Sequence, residues 1–79
     1  MYFFEQKAVL PITDDILRQT GGIEGLRKRV CNVYGLYLSK DEDEIVVPFV
    51  YKRYNIFYLL DKLEIEYNPE ELRLIKETK

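Results

Sequence analysis

The sequence predicts one α+β domain over residues 1–79, with a small single-layer sheet and helices packed on one of its faces. Two patterns support this fold class. Some short segments alternate polar and apolar residues or form β-branched runs, whereas the segments between them repeat apolar residues at helical spacing. Glycine and proline stand at several of the boundaries. A domain this small buries only about 60% of its unfolded surface, so a second copy or a partner would add burial.

The N-terminal segment predicts a strand and then a short helix. Residues 2–10 are aromatic and partly alternating, which is typical of a strand with one buried face, and Pro11 ends the pattern. Thr13 can accept a first-turn N–H, while Asp14 and Asp15 favour the positive end of a helix dipole. We therefore expect a helix to begin directly after Thr13.

A second helix is predicted after Gly21 and Gly22, which stop or kink the first one. It covers residues 23–34 and ends at Gly35, which can adopt a left-handed cap. Cys31 lies at the border of its apolar face, where a small buried thiol is expected. The residues of that buried face are Ile23, Leu26, Val30, Val33 and Tyr34.

Two β-prone runs, residues 36–38 and 45–51, predict a hairpin. Residues 41–44 are four carboxylates in a row. We expect them to form a solvated hairpin tip, because the run lacks the alternating oxygen donors and the central glycine of a calcium loop. Pro48 cannot donate to a ladder, so the second strand is expected at a sheet edge or bulged at that residue.

The C-terminal third predicts a helix, a strand and another helix. Asn55 can cap the first helix, whose apolar stripe consists of Ile56, Leu59, Leu60 and Leu63. Residues 64–67 alternate strictly and predict a short final strand. Asn68, Pro69 and the two glutamates after them have the pattern of a helix start, and this helix is expected to continue through Lys76.

The predicted order is βαββαβ, with the first helical segment broken in two and a C-terminal helix added. This order allows a split βαβ sheet of the ferredoxin-like kind. A winged helix is the alternative, because two helices followed by a hairpin are also its pattern. The spacing argues against it, since a turn glycine at Gly21 or Gly22 would place Arg27 or Lys28 at a position that should be buried.

The side-chain inventory argues against catalysis. The chain has no His and no Trp, and Ser39 and Cys31 are its only serine and cysteine. A Ser or Cys nucleophile lacks its usual imidazole base, and zinc lacks its usual ligands. Carboxylate or tyrosine chemistry is the remaining enzymatic option. We predict a non-enzymatic protein, and predict no metal, cofactor or small-molecule substrate.

The same inventory and the charge bear on location. A single cysteine forms no internal disulfide, and the N-terminus lacks a basic region followed by a long apolar run. We therefore expect a cytoplasmic protein. The net charge of −2 provides no general attraction to nucleic acid or to an anionic membrane, and no membrane association is predicted.

An exposed apolar surface predicts a protein partner. If the stripe that follows Asn55 faces the core, Phe57 and Tyr58 project from the flank and back of that helix. Leu74 is similarly out of phase on the predicted last helix. Together with an edge strand containing Pro48, these residues predict an interface and a homodimer. Accessory proteins of viruses and other mobile elements are often small regulatory proteins of this kind.

The alternative function is nucleic-acid binding by a transcriptional regulator. One basic triplet lies on the second helix, and a second cluster interleaves cations with aromatic rings near a strand end, as a single-stranded nucleic-acid platform requires. A solvated helix face and strand-end packing explain the same two clusters. The residues of this alternative are Arg27, Lys28, Arg29, Tyr51, Lys52, Arg53 and Tyr54.

Overall fold

Four strands and three α-helices form the described part of the chain, residues 4–48 and 53–78 of a computed structural model. The α+β class and the packing of the helices on one face are confirmed. In chain order the elements are β1 (Phe4–Pro11), α1 (Asp14–Thr20), α2 (Ile23–Cys31), β2 (Tyr37–Leu38), β3 (Glu44–Val47), α3 (Arg53–Asp61), a 3-10 turn (Pro69–Glu71) and β4 (Arg73–Thr78).

The strands form one sheet in the order β2-β3-β1-β4, and all neighbouring strands are antiparallel. Strands β1 and β3 are therefore inner strands, and β2 and β4 lie at the two edges. The register places Ala8 opposite Val47 in β3 and opposite Leu74 in β4. Side chains at opposite positions share a face of the sheet, so these three residues lie on the same side.

The core fills the space between one face of the sheet and the three helices. Ala8 and Leu10 of β1 meet Ile45 and Val47 of β3 on that face, and all four are at most 1% exposed. The helices add one apolar stripe each, as their helical spacing predicts. The buried residues of these stripes are Ile16, Leu26, Val30, Ile56 and Leu60.

The junction between α1 and α2 follows the sequence prediction. The Thr13 side chain accepts a 3.2 Å hydrogen bond from the N–H of Ile16, so Thr13 is the N-cap of α1. Gly21 ends α1 with a φ of 81°, a conformation that glycine adopts without strain. A feature missed at the sequence level is Gly25 of α2, which lies so close to α1 that a methyl group there would overlap the Thr20 carbonyl oxygen.

Helix α2 is shorter than predicted, and two expectations about its C-terminal part are wrong. It ends at Cys31 with Asn32 as its C-cap, three residues before the predicted end. Tyr34 lies beyond the helix and is 99% exposed, so its predicted place on the buried face is wrong. Cys31 is also exposed, because the last turn of α2 presents it to solvent.

The predicted hairpin is present, but its second strand is not an edge strand. Strand β3 lies between β2 and β1 and ends at Val47, so the expectation of an edge strand containing Pro48 is wrong. Pro48 has no N–H to donate, and the ladder stops just before it. Residues 49–52, the end of the predicted run and the start of the next segment, lie outside the described residues.

Residues 64–67 do not form the predicted strand. The amide side chain of Gln19 bonds both backbone groups of Glu66, donating to its oxygen at 2.8 Å and accepting from its N–H at 2.6 Å. Ile65 is buried, which explains the alternating pattern. Side-chain hydrogen bonds from α1 thus occupy backbone groups that a strand ladder would have used.

The predicted C-terminal helix is wrong, because the structure has a strand in its place. Its start is present, since the Asn68 side chain accepts from the N–H of Glu70 and Pro69 opens the turn, but only one 3-10 turn forms. The chain then becomes β4 and pairs with β1 over six residue pairs. Pairing in the sheet outweighs the local helix preference of this segment. The fourth strand is therefore Arg73–Thr78, and no C-terminal helix follows it in the described residues.

Candidate interaction surface

The sheet face opposite the helices carries a second, smaller apolar row. The register places Tyr37, Val46 and Val9 side by side across β2, β3 and β1. Val9 and Val46 are 3% and 5% exposed, yet neither belongs to the core cluster that contains the helices. The sequence does not separate these two valines from that core, because consecutive apolar residues in a strand do not reveal which side the helices cover.

Strand β4 forms one edge of the sheet and exposes apolar side chains on both faces. Leu74, opposite Ala8, lies on the helix face and is 41% exposed. Ile75 lies on the other face and is 39% exposed. Arg73 Nη2 donates to Glu44 Oε2 at 2.7 Å and so links the edge strand to β3 across β1. This ion pair adds a partly exposed link between the N-terminal end of β4 and the sheet.

Helix α3 presents the two aromatic residues that the sequence predicted to be exposed. Its phase is confirmed, although it begins at Arg53 instead of after Asn55. Phe57 is 38% and Tyr58 is 58% exposed, and Lys62 Nζ lies 4.6 Å from the centre of the Tyr58 ring. The residues beneath them are Ile56, Leu60 and Leu63, each at most 1% exposed. Lys62 Nζ is therefore within cation–π distance of the Tyr58 ring.

The four residues predicted for the interface belong to three parts of the fold. Phe57 and Tyr58 lie on α3, and Leu74 lies on an edge strand instead of a helix. Pro48 follows an inner strand and is half-buried. A further apolar residue at the same sheet edge, Ile75, was not among the predicted interface residues.

The basic triplet on α2 divides into three different roles. Arg27 donates to both carboxylate oxygens of Glu42, from Nε at 2.5 Å and from Nη2 at 2.8 Å. This hydrogen-bonded pair raises the pKa of Arg27 and lowers the pKa of Glu42. Lys28 is exposed to solvent. Arg27, one of the residues of the nucleic-acid alternative, is thus bound to a carboxylate.

Arg29 bonds to backbone carbonyls. Its Nη1 donates to the oxygens of Leu63 at 2.9 Å and Glu64 at 3.1 Å, and its Nη2 donates to that of Gln19 at 3.4 Å. These three contacts connect the end of α1 with the end of α3 through α2. The second predicted cluster falls largely outside the described residues. Residues 51 and 52 are not described, and for Arg53 and Tyr54 only their place at the start of α3 is described.

The acidic run is a hairpin tip, as predicted, but its carboxylates are engaged separately. Glu42 bonds to Arg27, Glu44 bonds to Arg73, and Asp43 accepts from the Ser39 hydroxyl at 2.8 Å. They therefore point to three different partners. Across the described ranges, no group of three or more His, Cys, Asp or Glu is arranged to bind a metal ion.

An open groove of about 530 Å³ lies between the end of α2 and β2. It includes Cys31, Tyr34, Tyr37 and Ser39 in its lining. Polar and apolar groups are mixed in this lining, and the exposed ring of Tyr34 forms part of it. Among the described residues, the groove brings together no cluster of chemically reactive groups.

Comparisons with known proteins give no relative. The chain matches none of the protein-family models, curated proteins or solved structures with which it was compared. Among the helices of residues 4–48 and 53–78, none has the length and apolar character needed to cross a membrane.

Proposed function

We propose that this chain is a non-enzymatic protein-interaction module that associates with itself and acts as a regulatory or accessory protein. The observation that carries the proposal is the sheet edge at β4, where Leu74 and Ile75 are 41% and 39% exposed on opposite faces. An edge strand offers unpaired backbone N–H and C=O groups to another strand. β4 contains no proline, which would block such pairing.

The exposed rings of α3 support the same function. Phe57 and Tyr58 lie on one short helix over a buried stripe, so their positions are fixed by packing beneath them. Aromatic residues on a rigid support lose little entropy on binding and often dominate interface energies. Lys62 beside Tyr58 gives this surface a polar rim.

The polar groups of the fold support a binding role over a catalytic one. The carboxylates of Glu42 and Glu44 form ion pairs with arginines from other elements. Arg29 is bound to three backbone carbonyls. These side chains connect structural elements to each other, which is a stabilising task.

The proposed architecture is the split βαβ arrangement of the ferredoxin-like kind. Its support is the sheet order β4-β1-β3-β2 with antiparallel neighbours, in which each of the two inner strands is followed by a helical crossover to an edge strand. The winged-helix alternative accounts for the two helices and the hairpin, but it gives no role to the six residue pairs between β1 and β4.

The test is the mass of the protein in solution over a concentration series, by light scattering on a sizing column. We expect twice the mass of one chain, and a weaker dimer for the double variant Phe57→Ala with Tyr58→Ala. Tyr34→Ala is the matched control, because it removes an exposed ring outside the proposed surface. A protein that stays monomeric up to millimolar concentration contradicts self-association.

The same experiment tests the nucleic-acid alternative. Single- and double-stranded DNA are added at low and high salt, since phosphate contacts weaken as salt rises. A dimer whose mass is unchanged by added DNA supports the proposal. A monomer that shifts with DNA at low salt supports the alternative, and the cations at positions 27–29, 52 and 53 then become the residues to neutralise.

A further inference from the structure

The backbone of β4 restricts how two copies of this edge can pair. In an antiparallel pair, successive residues direct their N–H and C=O groups alternately towards and away from the partner strand. Two residues that face each other must therefore both direct these groups towards the partner strand or both direct them away from it. When a twofold axis relates two copies of one strand, this condition is met only if the axis is level with a residue, so that this residue faces its own copy. The axis must lie at one of the six positions of Arg73–Thr78.

Length and charge distinguish these six registers. Only an axis at Ile75 or at Lys76 pairs five of the six residues of β4. An axis at Lys76 places two ammonium groups opposite each other, which is destabilising. An axis at Ile75 places two apolar side chains at the centre and puts Arg73 opposite the second copy's Glu77 on both sides. This register is self-complementary in both charge and hydrophobicity.

Arg73 is available for this pairing at the sheet edge, because its side chain is 65% exposed. Its guanidinium has two terminal nitrogens, and the hydrogen bond to Glu44 is donated by Nη2.

We propose that two copies pair β4 to β4 antiparallel about a twofold axis at Ile75, with Arg73 of each copy facing Glu77 of the other. The two four-stranded sheets then form one continuous sheet of eight strands. This inference rests on the proposed self-association and specifies its surface and register. It commits to a second copy of this chain, because the charge pattern of β4 is complementary to itself.

The register is tested by disulfide cross-linking in a Cys31→Ser background, which removes the exposed native thiol. Cα atoms at directly opposite positions are about 4.5 to 5.5 Å apart, within disulfide range, so Ile75→Cys is expected to form a covalent dimer. Leu74→Cys and Lys76→Cys are the controls. In this register each lies diagonal to its own copy, about 7 to 8 Å away, and is expected to stay unlinked.

The charge pattern is tested with Glu77→Lys. Lysine is a common residue of edge strands, so the monomer is expected to keep its stability in chemical denaturation. In the dimer it places two cations opposite each other twice, and the dissociation constant is expected to rise about tenfold or more. Asp41→Lys carries the same change of charge at the exposed tip of the β2–β3 hairpin and is expected to leave dimerisation unchanged.

The outcomes separate this inference from the function on which it rests. A dimer with efficient cross-linking at Ile75→Cys alone and weakening by Glu77→Lys supports both. A dimer that cross-links instead at Leu74→Cys or Lys76→Cys overturns the register and leaves self-association intact. The same holds for a dimer whose dissociation constant is unchanged by Glu77→Lys. A monomeric mass at every concentration overturns both, and the edge would then be open to an extended segment of another protein.

Discussion

Arg29 Nη1 donates a 2.9 Å hydrogen bond to the carbonyl oxygen of Leu63, in the turn that follows α3. Carbonyls at and just beyond a helix end have no partners within the helix and need donors from elsewhere. A cation is especially suitable, because the C-terminal end of a helix carries a partial negative charge. Arg29, one of the cations of the nucleic-acid alternative, therefore bonds to the backbone at the end of α3 in the structure.

We expect Arg29→Met to lower the free energy of unfolding by about 1 to 3 kcal/mol, the usual effect of leaving partly buried carbonyls without a donor. Urea denaturation followed by circular dichroism measures it. Lys28→Met is the control, because Lys28 is exposed and a change there is expected to stay within about 0.5 kcal/mol. Equal effects of the two substitutions would contradict the role of Arg29 at the helix end.

Gly25→Ala is expected to destabilise the protein although alanine is the better helix former. The added methyl group would overlap the Thr20 carbonyl oxygen, which is backbone and cannot rotate away. Overpacking of this kind costs about 1 to 3 kcal/mol, more than the roughly 1 kcal/mol gained in helix propensity.

The measurement is the thermal midpoint of Gly25→Ala against that of Glu24→Ala, its exposed neighbour on α2. We expect a lower midpoint for the glycine variant only. An unchanged or higher midpoint would show that α1 and α2 do not approach each other as closely as described.

Gln19→Ala is expected to loosen residues 64–67 while the sheet remains formed. Gln19 satisfies both backbone groups of Glu66, so its loss leaves two groups to be solvated. Amide hydrogen exchange should accelerate at Glu66 and remain unchanged at Val46 on β3. Arg18→Ala, on the same helix with an exposed ion pair, is the control, and similar exchange in both variants would contradict this role.

The Arg27–Glu42 pair predicts a pH dependence with a defined sign. Arg27 lowers the pKa of Glu42 below its ordinary value of 4.5 through the hydrogen bonds between them. A carboxyl group with a lowered pKa in the folded state stabilises the fold above its unfolded pKa and loses this contribution as the pH falls through the folded pKa.

The stability difference between the protein and Glu42→Gln is therefore expected at pH 7 and should shrink as the pH falls below the ordinary carboxyl pKa of 4.5 and through the lowered pKa of the folded state. The effect is small, because both groups are exposed to solvent. Denaturation curves between pH 3 and pH 7 measure it, with Asp41→Asn as the control from the same loop. A difference that is constant over this range would contradict the assignment.

The exposed rings of α3 and the edge at β4 show which parts of an exposed surface can be predicted from the sequence. Helical spacing alone placed Phe57 and Tyr58 outside, because a buried stripe on one helix leaves a calculable direction for every other residue. Leu74 was assigned to the wrong element, yet it is exposed, since the cause of exposure is its position at a sheet edge. Ile75 required the register with β1 to be found.

Local signals determined the first half of the fold. The cap at Thr13, the break at Gly21 and Gly22, and the hairpin around the acidic tip were all readable, because each depends on residues within one turn or one loop. Local signals also identified the helical start at Asn68 and Pro69. They did not show that only one 3-10 turn would form there.

Only the tertiary structure decided the fate of the last third of the chain. Residues 73–78 have the composition of a short helix, but strand β1 offers a free edge whose hydrogen bonds they complete. Residues 64–67 alternate like a strand, but Gln19 and Arg29 occupy their backbone groups. In both cases the deciding partner lies more than 30 residues away in sequence, and a local pattern contains no information about a partner at that distance.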